Sequence, residues 1–236
     1  MPAPVPFALA LDGHPSGLYG GLYTALADGD FVRGGLALRL EPHSSGPSAL
    51  STLAAGRADA AVASEPDLLR ARAAGDSLVA VGALVQGPLN TAGRPAIQRV
   101  ARTIRLTTAA KLAATTPTYN GLVLVVREAE AQHDGPQLRS FLQALMRGEE
   151  AARANPAHAL AALLGADRRL DRRFTASLLR ATLAASFPTA PSQPFGYDDP
   201  LQWDAYARWM LAQQQLTHTP AAALAVTNEF LPGQGE

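Results

Sequence analysis

The chain has 236 residues, 47% of them apolar and 17% charged, with twenty basic side chains balanced by twenty acidic ones. That length supports one large domain or two small lobes with ample core, and the charge balance lacks the basic excess of a nucleic-acid binder. The absence of cysteine removes disulfides, iron–sulfur clusters, Cys-type zinc sites, cysteine nucleophiles and a lipobox anchor together. Lys111 is the only lysine against nineteen arginines, so Schiff-base chemistry has a single candidate. No apolar run is long enough to span a bilayer. The N-terminus, Met1-Pro2-Ala3-Pro4-Val5-Pro6, lacks the charged and apolar regions of a signal peptide. The expected location is periplasm or cell surface if a leader has been trimmed, and cytoplasm if Met1 is the native start.

Strands and helices alternate regularly through the first ninety residues. Pro6 to Leu11 reads as an apolar strand and Leu18 to Ala27 as a helix closed by Gly29. Leu36 to Leu40 is a strand, Ser48 to Ala55 a short helix closed by Gly56, and Asp59 to Ala63 a strand. Pro66 to Ala74 is a helix closed by Gly75, and Leu78 to Val85 a strong strand. Glycine after each helix is the expected C-terminal stop. The alternation argues for βαβ units and a mostly parallel sheet.

The character changes at Asn90 to Thr116, which is rich in Arg, Thr and Ala, with a helix expected over Ile97 to Ala114. Tyr119 to Arg127 returns as a strand. The remainder is helical: Gln137 to Asn155, Ala157 to Leu164, Leu170 to Ala185, Asp199 to Gln215 and about Pro220 to Glu229. Leu138, Phe141, Leu142, Leu145 and Met146 share one face of the first of these. Trp203, Tyr206, Trp209 and Met210 follow helical spacing and read as core. Arg168-Arg169 and Arg172-Arg173, balanced by Asp167 and Asp171, read as a solvated face.

The opening strand, loop and helix carry the first binding signal. The strand ends in Asp12, a turn with Pro15, Ser16 and Gly17 follows, and the helix starts with Gly17, Gly20 and Gly21 in its first turns. Ligands of open α/β sheets sit at the carboxyl ends of strands, where helix N-termini offer unpaired N–H groups. Asp12, His14 and Ser16 are too close along one loop to form a hydrolase triad. His14 and His43 are too sparse for a metal site.

A longer series of motifs resembles one family. Leu11-Asp12-x-x-Pro15-Ser16 through Gly21-Leu22-Tyr23-x-Ala25 resembles the opening of the substrate-binding proteins of thiamine-precursor (pyrimidine) ABC transporters. That superfamily also contains the thiamine pyrimidine-precursor synthases. In order follow Leu53-Ala54-Ala55-Gly56-Arg57-Ala58-Asp59, Glu65-Pro66-Asp67-Leu68-Leu69, Val81-x-Ala83-Leu84-Val85-Gln86-x-Pro88-Leu89 and Pro117-x-Tyr119. Arg147-Gly148, Asn155-Pro156, Gly196-Tyr197-x-Asp199-Pro200, Trp203 and Asn228-Glu229-Phe230-Leu231-Pro232 complete the series. The resemblance implies an α/β, type II periplasmic-binding-protein-like fold whose two lobes close over a small ligand by hinge motion. It implies lobe one over residues 1–89, a shortened second lobe and return strand over 90–127, and a helical C-terminal region packing on both lobes over 128–236.

Two departures from the family pattern stand out. The family opening reads Asp-Trp-x-Pro-Asn-x-x-His, where this chain has Gly13, Ser16 and Tyr19. Only Asn90 to Thr118 fills the space where the family places a full set of second-lobe elements.

The candidate ligand-binding residues are Asp12, Ser16, Tyr19, Glu65, Tyr119 and Tyr197. Asp12 is an acceptor for a ligand amine or a cap for the following turn. The resemblance puts ligand contacts at Ser16 and Tyr19; the alternatives are helix capping and packing. Glu65 follows the strand ending at Ala63, where the family's residues face the cleft, and Ser64 beside it reads as an N-cap. Tyr119 and Tyr197 are stacking partners for an aromatic ligand or packing residues. The resemblance implies a non-enzymatic binder of a small pyrimidine-like metabolite, with an ABC permease as partner and no cofactor, no metal and no catalytic residue. Two alternatives stand beside it. One is a degenerate relative with no ligand. The other is an enzyme like the precursor synthases, which are associated with pyridoxal phosphate on a lysine, a histidine and a cysteine-rich iron motif.

Overall fold

A computed structural model describes residues 3–43, 47–88, 116–190, 192–218 and 222–233. The helix expected over Ile97 to Ala114 lies outside the described residues, as does most of the expected second lobe. Five strands form one sheet: β1 (Val5–Asp12), β2 (Leu36–His43), β3 (Ala60–Ala63), β4 (Leu78–Val85) and β5 (Leu122–Arg127). Their order is β2-β1-β3-β5-β4. β1 pairs in parallel with β2 and β3, whereas β5 runs antiparallel between β3 and β4. The mostly parallel sheet expected from the alternation therefore has one reversed strand, β5, between β3 and the edge strand β4. That strand is the returning segment, so residues from both sides of the undescribed stretch share one sheet.

Nine helices among the described residues cover the sheet. They are α1 (Gly20–Asp28), α2 (Asp30–Arg33), α3 (Ala49–Ala54), α4 (Glu65–Ala73), α5 (Glu128–His133), α6 (Gly135–Ala154), α7 (Pro156–Ala166), α8 (Arg172–Leu183) and α9 (Pro200–Ala212). A 3₁₀ turn over Gly17–Tyr19 leads into α1. Short side chains start the helices: Ser48 accepts from Ser51 N–H, Ser64 from Asp67 N–H, Asp171 from Phe174 N–H and Asp199 from Leu201 N–H. Gly29 ends α1 at φ 75°, a left-handed conformation that side chains resist.

The strands divide their side chains between two cores with a period of two. Phe7, Leu9 and Leu11 of β1, Val62 of β3, and Leu122, Leu124 and Val126 of β5 face one core, shared with residues of α1, α6, α7 and α8. There Phe141 packs between Phe7 and Phe31, each at 5.1 Å between ring centroids. The opposite faces present mainly alanine: Ala10, Ala61, Ala63, Ala80 and Ala83. These small residues leave room for Trp203, Tyr206 and Met210 of α9, all fully buried in that second core.

The C-terminal segment departs from expectation. The described part of the helix expected over Pro220 to Glu229 is a 3₁₀ turn, Ala222–Leu224, followed by an isolated bridge at Val226 and turns. β4 is an edge strand with unpaired backbone groups, and this chain satisfies some of them. Ala80 N–H donates to Ala225 O at 2.8 Å, and Thr227 N–H donates to Ala80 O at 2.9 Å. Ala83 N–H donates to Gly196 O in the same way. Covering an exposed edge favours extended pairing over the helix that local composition suggests.

Candidate functional site

The parallel strands end on one edge of the sheet, and the antiparallel β5 begins there. Asp12, Ser64-Glu65, Gln86 and Asn120 all lie along that edge because each adjoins the matching end of β1, β3, β4 or β5. The residues singled out from the sequence thus gather at one side of the molecule, but not in one pocket.

At the β1 end the polar groups are already engaged. Asp12 Oδ1 accepts from Ala49 N–H at 2.8 Å, so it caps α3 rather than the helix that follows it in sequence. Ser16 is the N-cap of the 3₁₀ turn, accepting from Leu18 N–H at 3.4 Å. Tyr19 is 1% exposed, and its hydroxyl donates to Asp12 O at 2.9 Å. Burial, with the Asp12 charge nearby, pushes that hydroxyl's pKa up. The glycines of this segment serve close packing. A Cβ on Gly17 would lie 2.4 Å from Leu179 N, one on Gly20 2.1 Å from Leu179 Cδ1, and one on Gly21 2.2 Å from Glu149 Cδ. The first turns of this helix are therefore covered by α6 and α8, not presented to a ligand.

Among the described residues, the β4–β5 end is open. A cavity of about 470 Å³ lies between Gln86-Gly87-Pro88 after β4, Thr118 and Asn120 before β5, the chain from Ala184 to Tyr197, and the start of α9. Among the described residues, amides and hydroxyls dominate its polar lining: Gln86, Thr118, Asn120, Thr189, Gln193 and Gln202, with Asp199 the carboxylate. Phe187 and Tyr197 supply aromatic surface. Gln86 Nε2 donates to Tyr197 O at 2.9 Å and ties the two walls together. Tyr119 is not in the lining; it is buried and stacked on Tyr206 at 4.5 Å.

Behind the cavity sits a buried polar cluster that the sequence reading touched only through Glu65. Glu65 is fully buried, and its Oε2 accepts from Asn120 N–H at 2.7 Å. Asn120 Nδ2 donates to Asp198 Oδ1 at 2.7 Å, and Trp203 Nε1 donates to the same oxygen at 3.1 Å. Asn228 clasps Asp198 through its backbone, accepting from Asp198 N–H at 2.9 Å and donating to Asp198 O at 2.8 Å. Burial pushes the Asp198 carboxyl up to about 7, against the opposing bond from Trp203. Burial raises Glu65 as well, and the nearby Asp198 charge adds to the shift. Asn120, Asp198 and Gln86 are not among the candidate binding residues that the sequence offers. The available signal was a polar residue flanking a wholly apolar strand, Asn120 before Leu122 and Gln86 after Val85.

A family model described as NMT1/THI5 like matches residues 18–102. A conserved Candida albicans gene product with the generic periplasmic binding protein structural fold superposes with a TM-score of 0.67, at 11% identity, over 100% of this chain and 99% of that one. The alkanesulfonate-binding protein SsuA from Xanthomonas axonopodis pv. citri, bound to MOPS, gives 0.62 at 16% identity over 96% and 99%. The fold is that of the periplasmic binding proteins. A desulfurization enzyme, DSZB, superposes at 0.50 with 12% identity over 95% and 97% of the two chains, so the periplasmic-binding-protein fold resembles an enzyme's as well. No curated protein sequence matches the chain. Among the described residues no helix is long and apolar enough to cross a membrane, and no group of three His, Asp or Glu side chains is placed to hold a metal ion.

Proposed function

We propose that this chain is the substrate-binding component of an ABC-type importer and holds a small heteroaromatic metabolite in the cavity beside β4 and β5. A thiamine pyrimidine precursor is the ligand class that fits best. The observation that carries this reading is the lining itself: amide and hydroxyl groups with one carboxylate, flanked by Phe187 and Tyr197. Such a wall pairs with the ring nitrogens and amine of a neutral or weakly basic heterocycle, while the aromatic surface stacks on its face. A sulfonate, as an anion, gains from cationic or N–H donors, and the Asp199 carboxylate repels it. In this role the protein binds and releases its ligand without chemistry, hands it to a permease, and works outside the cytoplasm.

Thermal unfolding with a panel of aminopyrimidines, other heterocycles and alkanesulfonates tests the reading. A ligand at a hundred times its Kd adds about 2.7 kcal/mol of stability, a shift of several degrees. Stabilisation by aminopyrimidines and not by sulfonates supports the proposal. Stabilisation by sulfonates alone overturns the ligand class, and no stabilisation by any compound points to a relative that binds nothing.

A further inference from the structure

One amide in the cavity wall has its orientation fixed from behind. Asn120 lines the cavity yet is only 3% exposed. Its backbone is held on both sides by Glu65, whose N–H donates to Asn120 O at 3.3 Å and whose Oε2 accepts from Asn120 N–H at 2.7 Å. Its side chain meets Asp198 Oδ1 at 2.7 Å. That same oxygen accepts from Trp203 Nε1, and an indole N–H can only donate. Asp198 Oδ1 is therefore an acceptor whether or not the acid carries a proton; any proton sits on Oδ2, which is buried without a partner. An amide facing an acceptor turns its NH₂ toward it. The Asn120 carbonyl is then directed away from Asp198, whose backbone is held by Asn228 at both N–H and C=O and whose carboxyl is held by Trp203.

We propose that Asn120 Oδ1 is the fixed acceptor that selects the ligand of this cavity for an N–H donor, with Asp198 as the positioning residue that sets the amide's direction. The inference rests on the ligand-binding reading above and deepens it. A carbonyl locked this way cannot rotate to offer its NH₂ to a ligand that brings only acceptors. Such a ligand leaves a buried polar group unpaired, and discrimination of this kind is strong because the site cannot adapt.

The test is calorimetric titration with 4-amino-2-methylpyrimidine and with 2-methylpyrimidine, which lacks the donor. The wild-type protein is expected to prefer the amine by about 5- to 150-fold, the range that one unpaired buried group produces. Asn120→Leu removes the acceptor, and Asp198→Ala frees the amide to rotate; both are expected to bring the ratio close to one. Asp198→Asn keeps an oxygen for Trp203 and Asn120, and is expected to keep the preference. A merely structural role for Asp198 would weaken both ligands equally and leave the ratio unchanged. Equal binding of the two rings by the wild type, or an unchanged ratio in Asn120→Leu, overturns the inference alone. Binding of neither ring overturns the ligand-binding reading and this inference with it. The wild-type comparison decides the matter even if both variants fail to fold.

Discussion

Glu65 and Asn120 hold each other at two points: Glu65 N–H donates to Asn120 O at 3.3 Å, and Asn120 N–H donates to Glu65 Oε2 at 2.7 Å. The clasp joins the start of α4 to the chain entering β5, which is also the wall of the cavity. Glu65 Oε1 is buried without a partner, so the acid sits in an apolar setting where its ionised form is costly. Two substitutions separate the bond from the charge. Glu65→Ala leaves the Asn120 N–H buried and unpaired beside a small void, and should destabilise by about 2–4 kcal/mol. Glu65→Gln keeps an oxygen for Asn120 and carries no charge, and should match or exceed the wild type at neutral pH. Urea unfolding at pH 7.5 checks both; equal losses in the two variants would mean that the charge, not the bond, is what the fold uses.

The crossing of the first helical segment with α8 depends on glycine at position 17. A Cβ there would stand 2.4 Å from Leu179 N and 2.8 Å from Thr175 O, both backbone atoms that cannot step aside. Gly17→Ala should therefore cost about 1–3 kcal/mol or more, the usual penalty of overpacking. Gly165, in α7, has nothing within 4 Å of an added Cβ. Gly165→Ala should instead stabilise by about 0.5–1 kcal/mol, because alanine is the better helix former and restricts the unfolded chain. Melting temperatures moving in opposite directions would confirm the contrast.

The contrast also explains what the sequence made legible. Strand alternation, helix ends and the amphipathic face of α6 are local signals, and β1 to β4 and the helices of the first ninety residues lie close to where periodicity puts them. The glycines at 17, 20 and 21 looked like a ligand-binding turn because that turn and a close helix crossing ask for the same residue. Only the partners, Leu179 and Glu149, distinguish the two, and they lie more than a hundred residues away in the chain. Asp12 carries a similar ambiguity: the sequence allows it to cap, but the helix it caps is α3, 37 residues on in the chain. Asn120 and Asp198 become a pair only when the return strand and the loop before α9 meet, a contact 78 residues apart that no local pattern encodes.

Tyr19 and Tyr197 offer a test of which end of the sheet edge meets the ligand. Tyr19 is enclosed, with its hydroxyl bound to Asp12 O; Tyr197 borders the cavity. Tyr19→Phe should lose one hydrogen bond, about 0.5–1.5 kcal/mol of stability, and leave the Kd of an aminopyrimidine unchanged. Tyr197→Ala keeps the backbone oxygen that Gln86 uses and removes only the ring. It should weaken binding about 2- to 12-fold through lost stacking, with a separate loss of stability because the ring also packs against the core. A fall in affinity for Tyr19→Phe without one for Tyr197→Ala would move the ligand to the β1 end.

Glu149 gives the molecule a pH dependence that can be isolated. It is buried beside Gly21 and Ser186, and burial pushes its carboxyl up to about 8 from an ordinary 4.5, against the opposing influence of both neighbours. Between those values the folded protein holds a proton that the unfolded chain has released. Its contribution is therefore complete below about pH 4.5 and is lost as pH rises toward about 8. The loss runs at up to about 1.4 kcal/mol per pH unit. Asp198, raised to about 7, and the raised Glu65 act in the same direction. Glu149→Gln mimics the protonated acid: its oxygen can accept from the Gly21 N–H and its NH₂ can donate to Ser186. The variant should match the wild type near pH 4.5 and become progressively more stable than it up to about pH 8, with the decline in stability shallower by one titrating group. Chemical denaturation at half-unit steps across that range reads the difference. Parallel curves for the two proteins would mean that Glu149 is ionised in the folded state and that its neighbours satisfy the charge.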